Sequence, residues 1–159
     1  MVYFVYRNIW TELIAMQYIT GVHALNLPCS LNTSGDWHTS WIQWEHPKIK
    51  DTDTAFWGDW GIEYRKIPEH EGIFPVANHL RACFDMLEDG DFSNLQGMNK
   101  DYICNDEYDD FVFQQVLRLK GAKHWEAINK FMEKEYYMKW VRYREAHLHG
   151  KFETMANRT

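Results

Sequence analysis

The chain is short of the residues and patterns that announce a chemistry directly. It has three cysteines, Cys29, Cys83 and Cys104, and none sits in a Cys-x-x-Cys pair. A structural zinc site built on thiolates is therefore disfavoured. An odd, unspaced set reads as reduced thiols in a cytoplasm. No His-Glu-x-x-His occurs, and no two histidines share a helix face, so the established metal-ligand spacings are missing. No metal and no cofactor is expected. No Gly-x-Ser-x-Gly elbow frames Ser34 or Ser40, and no glycine-rich phosphate cradle of the Walker or dinucleotide type is present. Positive charge is scarce as well. The formal net charge is −6, which argues against broad nucleic-acid affinity and leaves only a local basic patch for it. The opening segment is broken by Arg7, Asn8 and Glu12, is too short and polar to span a bilayer, and carries no basic leader. No membrane association is expected. Val2, Val5, Ile9, Leu13 and Met16 keep helical spacing, so residues 1–17 read as a short amphipathic helix, or as an extension before a natural start at Met16.

What the chain has in abundance is aromatic surface. Aromatics make up 16% of it, with eight Trp, nine Tyr and nine Phe. Such a composition disfavours disorder over a long stretch. Large residues filling a small core are the plain reading, and an aromatic contact surface is the functional one. A length of 159 residues fits a single domain.

Gly-Asp-Trp occurs twice, as Gly35-Asp36-Trp37 and Gly58-Asp59-Trp60. Glycine permits a positive φ, aspartate bonds a turn, and tryptophan anchors it. Both units are expected to be structural turns, with Asp36 and Asp59 bonded to local backbone and both indoles largely buried.

Residues 18–67 read as strand-rich. Tyr18–Thr20 and Val22–Leu25 suit short strands, 37–44 an extended segment with apolar residues on both faces, and Ile62–Ile67 another strand. Pro75 is expected to open a helix carrying Val76, Leu80, Cys83, Phe84 and Leu87, ended by Gly90. A second helix follows Asp106, with Asp106-x-x-Asp109 as its cap, and stops at Gly121. A final helix over 123–147 has the stripe Trp125, Ile128, Met132, Tyr136, Trp140 and Tyr143. Residues 150–159 read as a flexible tail. Strands first and helices second give an α+β class: a small antiparallel sheet packed against C-terminal helices over 75–147.

Charge is unevenly divided. Residues 85–110 are strongly acidic, whereas Lys123, Lys130, Lys134 and Arg144 share a face of the final helix. Such a face is ordinarily solvated, and functionally it is a docking surface for phosphates or an acidic partner.

The residues suited to chemistry are His23, Asp36, His38 and Asp59, with His46, His70 and Glu71 near them in sequence. A histidine beside a carboxylate supports general acid–base work. The plain alternative is aspartates bonding their own turns and histidines in half-buried polar positions. Cys29, after Pro28 in a loop, is a possible exposed thiol, and Cys83 on an apolar helix face reads as inert packing.

Gly21-Val22-His23-Ala24-Leu25-Asn26-Leu27-Pro28, then Ser34-Gly35-Asp36-Trp37-His38, resembles a set of small uncharacterised bacterial proteins. The helix Val76–Cys83 and the segment Glu135–Trp140 are similar too, and the likeness spans residues 18–147. Such proteins accompany toxin–antitoxin or phage-defence genes, notably nucleotidyltransferase-like ones. The resemblance implies an antitoxin-like or defence-related role.

Two functions follow. The first is a cytoplasmic protein-binding module that docks a partner through Trp41, Trp44, Trp57, Lys130, Lys134 and Arg144, touching nucleic acid only through the basic final helix. The second is a small hydrolase or transferase using His23, Asp36, His38 and Asp59 on a nucleotide-like substrate. Convergence of those four side chains in one cleft would favour the second.

Overall fold

A computed structural model describes residues 16–38 and 41–156, with side chains to residue 148. The expected helix over 1–17 lies outside the described residues except at its end, and so do the last residues of the expected tail. Four short strands, β1 (Gln17–Ile19), β2 (Ile49–Asp51), β3 (Ile62–Arg65) and β4 (Phe74–Ala77), form one sheet in the order β2-β1-β4-β3. The sheet is mixed rather than antiparallel. β1 pairs antiparallel with β2 but parallel with β4 through Ile19 opposite Val76, and β3 pairs antiparallel with β4.

Helices dominate the remainder, so the class is α+β but the first half is not strand-rich. Val22–Leu25, expected as a strand, lies in α1 (Gly21–Leu25). An apolar run this short has no decisive period. Residues 33–38 and 42–44 form no ladder among the described residues. Pro75 stands inside β4, opposite Tyr64. The helix α2 (His79–Asp89) begins after it, where the Asn78 side chain accepts from the Arg81 amide at 2.8 Å. A proline's fixed φ suits an extended segment as well as a first helical turn, and pairing with β3 decides between them. α2 ends at Gly90, as expected.

A short α3 (Phe92–Leu95) and a single π-helical turn (Met98–Ile103) lead to a 3₁₀ turn, Asp106–Tyr108. Asn105, not Asp106, caps that turn by accepting from the Glu107 amide. Then come α4 (Asp109–Leu117) and a second 3₁₀ turn, Arg118–Gly121. The expected final helix is two helices, α5 (Trp125–Tyr136) and α6 (Met138–Ala156), parted at Tyr137 with φ 55°. The break lets Trp140 Nε1 donate to Asn129 Oδ1 at 2.8 Å. In one continuous helix those residues would stand about 16 Å apart along the axis. The backbone of α6 also continues through 150–156, where a tail was expected.

The core runs from the sheet through α2 to α4, α5 and α6. Ile128, Met132, Tyr136 and Trp140 of the expected stripe are buried, and Trp125 and Tyr143 pack partly buried beside them. At its centre lies an ionic network on α2. Arg81 Nε donates to Asp85 Oδ1 at 2.9 Å, and neither side chain is exposed by more than 1%. Asp85 Oδ2 also accepts from Tyr18 Oη and Thr20 Oγ1, each at 2.7 Å. Arg81 donates further to Tyr18 Oη and to the carbonyls of Gly58 and Trp60. Every member is matched, as a buried charge pair requires.

Candidate functional site

The two Gly-Asp-Trp units do opposite things. In the first, Asp36 is buried and accepts from the His38 amide at 3.3 Å, which is the expected turn bond. Trp37, however, is 68% exposed, its Nε1 donating to the Ser34 carbonyl at 2.7 Å. In the second, Asp59 is exposed and makes no hydrogen bond or ion pair among the described residues. Trp60 is 38% exposed and stacks on Phe84. The expectation of two equivalent anchored turns is therefore corrected. The first unit buries its carboxylate under α1, and the second directs its indole onto α2 and α4. Gly61 lets the second loop approach closely. It has φ 75°, and a Cβ there would lie 2.9 Å from Arg81 Cβ.

Of the four residues read as possible catalytic groups, Asp36 and His38 come together. His38 Nδ1 bonds Asp36 Oδ1, the carboxylate buried and the imidazole 73% exposed. His23 is turned elsewhere. Its Nε2 donates to the Gln43 carbonyl at 2.8 Å, its Nδ1 accepts from the Lys48 amide at 3.2 Å, and its ring meets Trp44 edge-on. His23 thus ties down residues 43–48, and Asp59 joins neither histidine. His70 bonds the Trp44 carbonyl at 2.7 Å. Among the described residues no group of three or more His, Cys, Asp or Glu side chains is arranged to hold a metal. None of their helices is long and apolar enough to cross a membrane.

The residues read as partner-binding also divide. Trp41 is 59% exposed, and Lys130 and Lys134 are exposed on α5. Trp44 and Trp57 are buried at 6% and serve the core. Arg144 is mostly covered and engaged by Glu133 and Asn129. Lys139 is engaged by Asp109 at 3.0 Å. Burial could not be read for single tryptophans, because one side of each strand or turn looks apolar until its neighbours are placed.

What the sequence left unassembled is a cleft of about 260 Å³ between the second Gly-Asp-Trp loop and α4, lined by Phe56, Trp57, Trp60, Phe111, Gln115 and Arg118. Phe56 is 40% exposed. Trp60 and Phe111 stand 5.4 Å apart by centroid. Trp57 Nε1 donates to Gln115 Oε1 at 3.0 Å, and the same oxygen accepts from Arg118 at 2.9 Å, which fixes the floor and rim together. The Arg118 guanidinium lies 5.1 Å over the Phe56 ring. It meets no carboxylate among the described residues. The arrangement offers ring faces for an apolar anchor and a guanidinium able to take a carboxylate in bidentate fashion. The Gly-Asp-Trp repeat pointed to one wall, while Phe111 and Arg118 arrive only through tertiary packing.

The chain matches no protein-family model, no curated protein and no solved structure.

Proposed function

We propose that this chain works by docking a partner protein in the cytoplasm, as an antitoxin-like or defence-related inhibitor would. The aromatic cleft between residues 56–60 and α4 receives the partner. The supporting observation is that cleft's make-up: exposed aromatic faces beside an arginine that meets no carboxylate among the described residues. Aromatic and arginine side chains in a partly desolvated pocket are the residue types that dominate interface energetics. The occupant is an apolar or aromatic anchor next to an acid. Lys130 and Lys134 supply further positive charge for steering an acidic partner, whose encounter then slows as salt is added.

Nuclear magnetic resonance of the indole N–H groups tests this directly. A peptide with Trp flanked by Glu should shift the Trp57 and Trp60 signals, and Arg118→Ala should weaken its binding about tenfold. Asp59 and Asp110 adjoin lining residues in the chain, so a cation-bearing occupant is the competing case. Equal or tighter binding of a Lys-flanked peptide, or no shift at either indole, would sink the reading.

The alternative, a hydrolase or transferase acting on a nucleotide-like substrate, retains one supporting observation in the Asp36–His38 pair. That pair orients an exposed imidazole with a buried carboxylate, as a general base requires. Turnover of a nucleotide ester that His38→Ala abolishes would establish it.

A further inference from the structure

Away from the aromatic cleft, the loop after α1 brings a thiol, a hydroxyl and an imidazole into line. Cys29 is half-buried, and its Sγ lies 3.4 Å from Thr33 Oγ1. Thr33 Oγ1 lies 2.7 Å from His79 Nδ1, and His79 Nε2 lies 2.6 Å from the Leu27 carbonyl. A carbonyl only accepts, so Nε2 carries a proton and Nδ1 of the neutral ring is the acceptor. The Thr33 hydroxyl then donates to Nδ1, and its oxygen accepts the thiol proton. Moving each proton one place along gives a thiolate and an imidazolium with every donor still matched.

The ring is held for this. His79 is 2% exposed. Gly35 packs against it at φ 73°, where a Cβ would come within 2.7 Å of both His79 Cε1 and the Leu25 carbonyl. The glycine of the first Gly-Asp-Trp unit is therefore required by the imidazole. Burial works to raise the Cys29 thiol. The Thr33 hydroxyl and the neighbouring His79, acting on the thiolate, outweigh it and bring the thiol down to about 7. Burial likewise disfavours the His79 imidazolium, and Cys29, the Leu27 carbonyl and the charge of Glu63 raise it above its ordinary value. The charged and titratable groups facing the pair are Glu63 with its partner Arg65 on β3, and Cys83 on α2.

We propose that Cys29 is a nucleophile for hydroperoxides, activated through Thr33 and His79 and converted by them to a sulfenic acid. The thiolate attacks the hydroxyl oxygen of the peroxide. The S–O bond forms and the O–O bond breaks. Sulfur gives up two electrons to the peroxide, and the leaving hydroxide or alkoxide takes a proton from the imidazolium through the Thr33 hydroxyl. It departs as water or alcohol. Flanking donors of the loop are already engaged: the Ser30 amide by Glu63, and the Asn32 amide by the Tyr108 hydroxyl. A peroxide needs only the sulfur, one hydroxyl and one proton, all of which stand here. This inference does not depend on the docking reading.

The full chain supplies its own reference. Cys104 is exposed with no hydrogen bond to its sulfur among the described residues, while Cys83 is buried and its thiol pushed up. Hydrogen peroxide is added at pH 6 with a sulfenic-acid trap, and labelling at each cysteine is followed by mass spectrometry. Cys29 should react about tenfold faster than Cys104, because its thiolate is more populated and its leaving group is protonated. The rate at Cys29 should rise with a midpoint near 7. Thr33→Val keeps the side chain's shape and cuts the relay, so it should remove most of the advantage and move the midpoint toward the ordinary thiol value of about 8.5. Circular dichroism confirms that the variant is folded. Equal labelling of Cys29 and Cys104, or a Thr33→Val protein with unchanged rate and midpoint, overturns the proposal.

Discussion

The buried pair on α2 makes a quantitative prediction. Asp85→Ala removes the carboxylate that accepts from Arg81, Tyr18 and Thr20. The Arg81 guanidinium is 0% exposed, so it is left buried without its carboxylate partner. Breaking a buried pair from one side costs about 3–5 kcal/mol. With a urea dependence of roughly 2 kcal/mol per molar, the unfolding midpoint should fall by about 2 M. The Tyr18 and Thr20 hydroxyls each lose the acceptor of their donated hydrogen bond, which adds to the loss. Equilibrium urea unfolding followed by tryptophan fluorescence and circular dichroism measures it. Should Asp85→Ala fail to fold, Asp85→Asn keeps one acceptor and provides a smaller drop on the same axis. Replacing both partners at once, Arg81→Met with Asp85→Leu, should cost less than Asp85→Ala alone, since no buried charge is stranded. Arg81 also holds the carbonyls of Gly58 and Trp60. Asp85→Ala should therefore loosen the cleft loop and expose the Trp60 indole further, seen as red-shifted emission. A midpoint drop below about 0.5 M, or a double variant as damaged as the sum of its singles, would refute the reasoning.

Trp140 is fully buried, bonded to Asn129 and packed edge-on against Phe113 and Trp125; Trp140→Ala should lower the melting temperature by about 10 °C in a thermal scan, from a cost of about 3–5 kcal/mol. Glu63 is affected by burial, which raises its carboxyl, and by the stronger opposing hydrogen bonds and charge of Ser30 and Arg65, which leave it below its ordinary value of 4.5. Its contribution to stability is thus present above pH 4.5 and disappears as the pH falls through the folded value, so the stability gap between wild type and Glu63→Gln should close as the pH falls below 4.5.

Much of the helical half was legible from local pattern. The 3.6-residue spacing of Ile128, Met132, Tyr136 and Trp140 marks a buried stripe whichever way the helix later turns. Gly90 ends α2 because a left-handed residue there needs little beyond its own backbone. The break at Tyr137 was not legible, since nothing in Tyr-Tyr-Met opposes a helix locally. It follows from the gain of packing Trp140 back onto α5. The sheet was harder still. Strands of three or four residues carry too few alternations to be read, and β4 is a strand only because β1 and β3 flank it.

The candidate sites show the same division. Sequence by itself determined that Gly35 and Gly58 suit a positive φ, that the thiols are unpaired, that aromatic residues are abundant, and that no spaced metal or phosphate motif is present. Those are properties of residue type and near neighbours. Tertiary structure alone decided that His79 belongs with Cys29 and Thr33, 46 residues from the latter, and that Phe111 and Arg118 belong with Trp60. It also decided that His23 and Asp59 stand apart from Asp36 and His38. The reason is that side-chain chemistry acts over a few ångströms, while the distance between residues far apart in the chain is set by the packing of whole elements. Burial of α2 on the sheet places His79 under the α1 loop, and burial of α4 on α2 places Arg118 over Phe56.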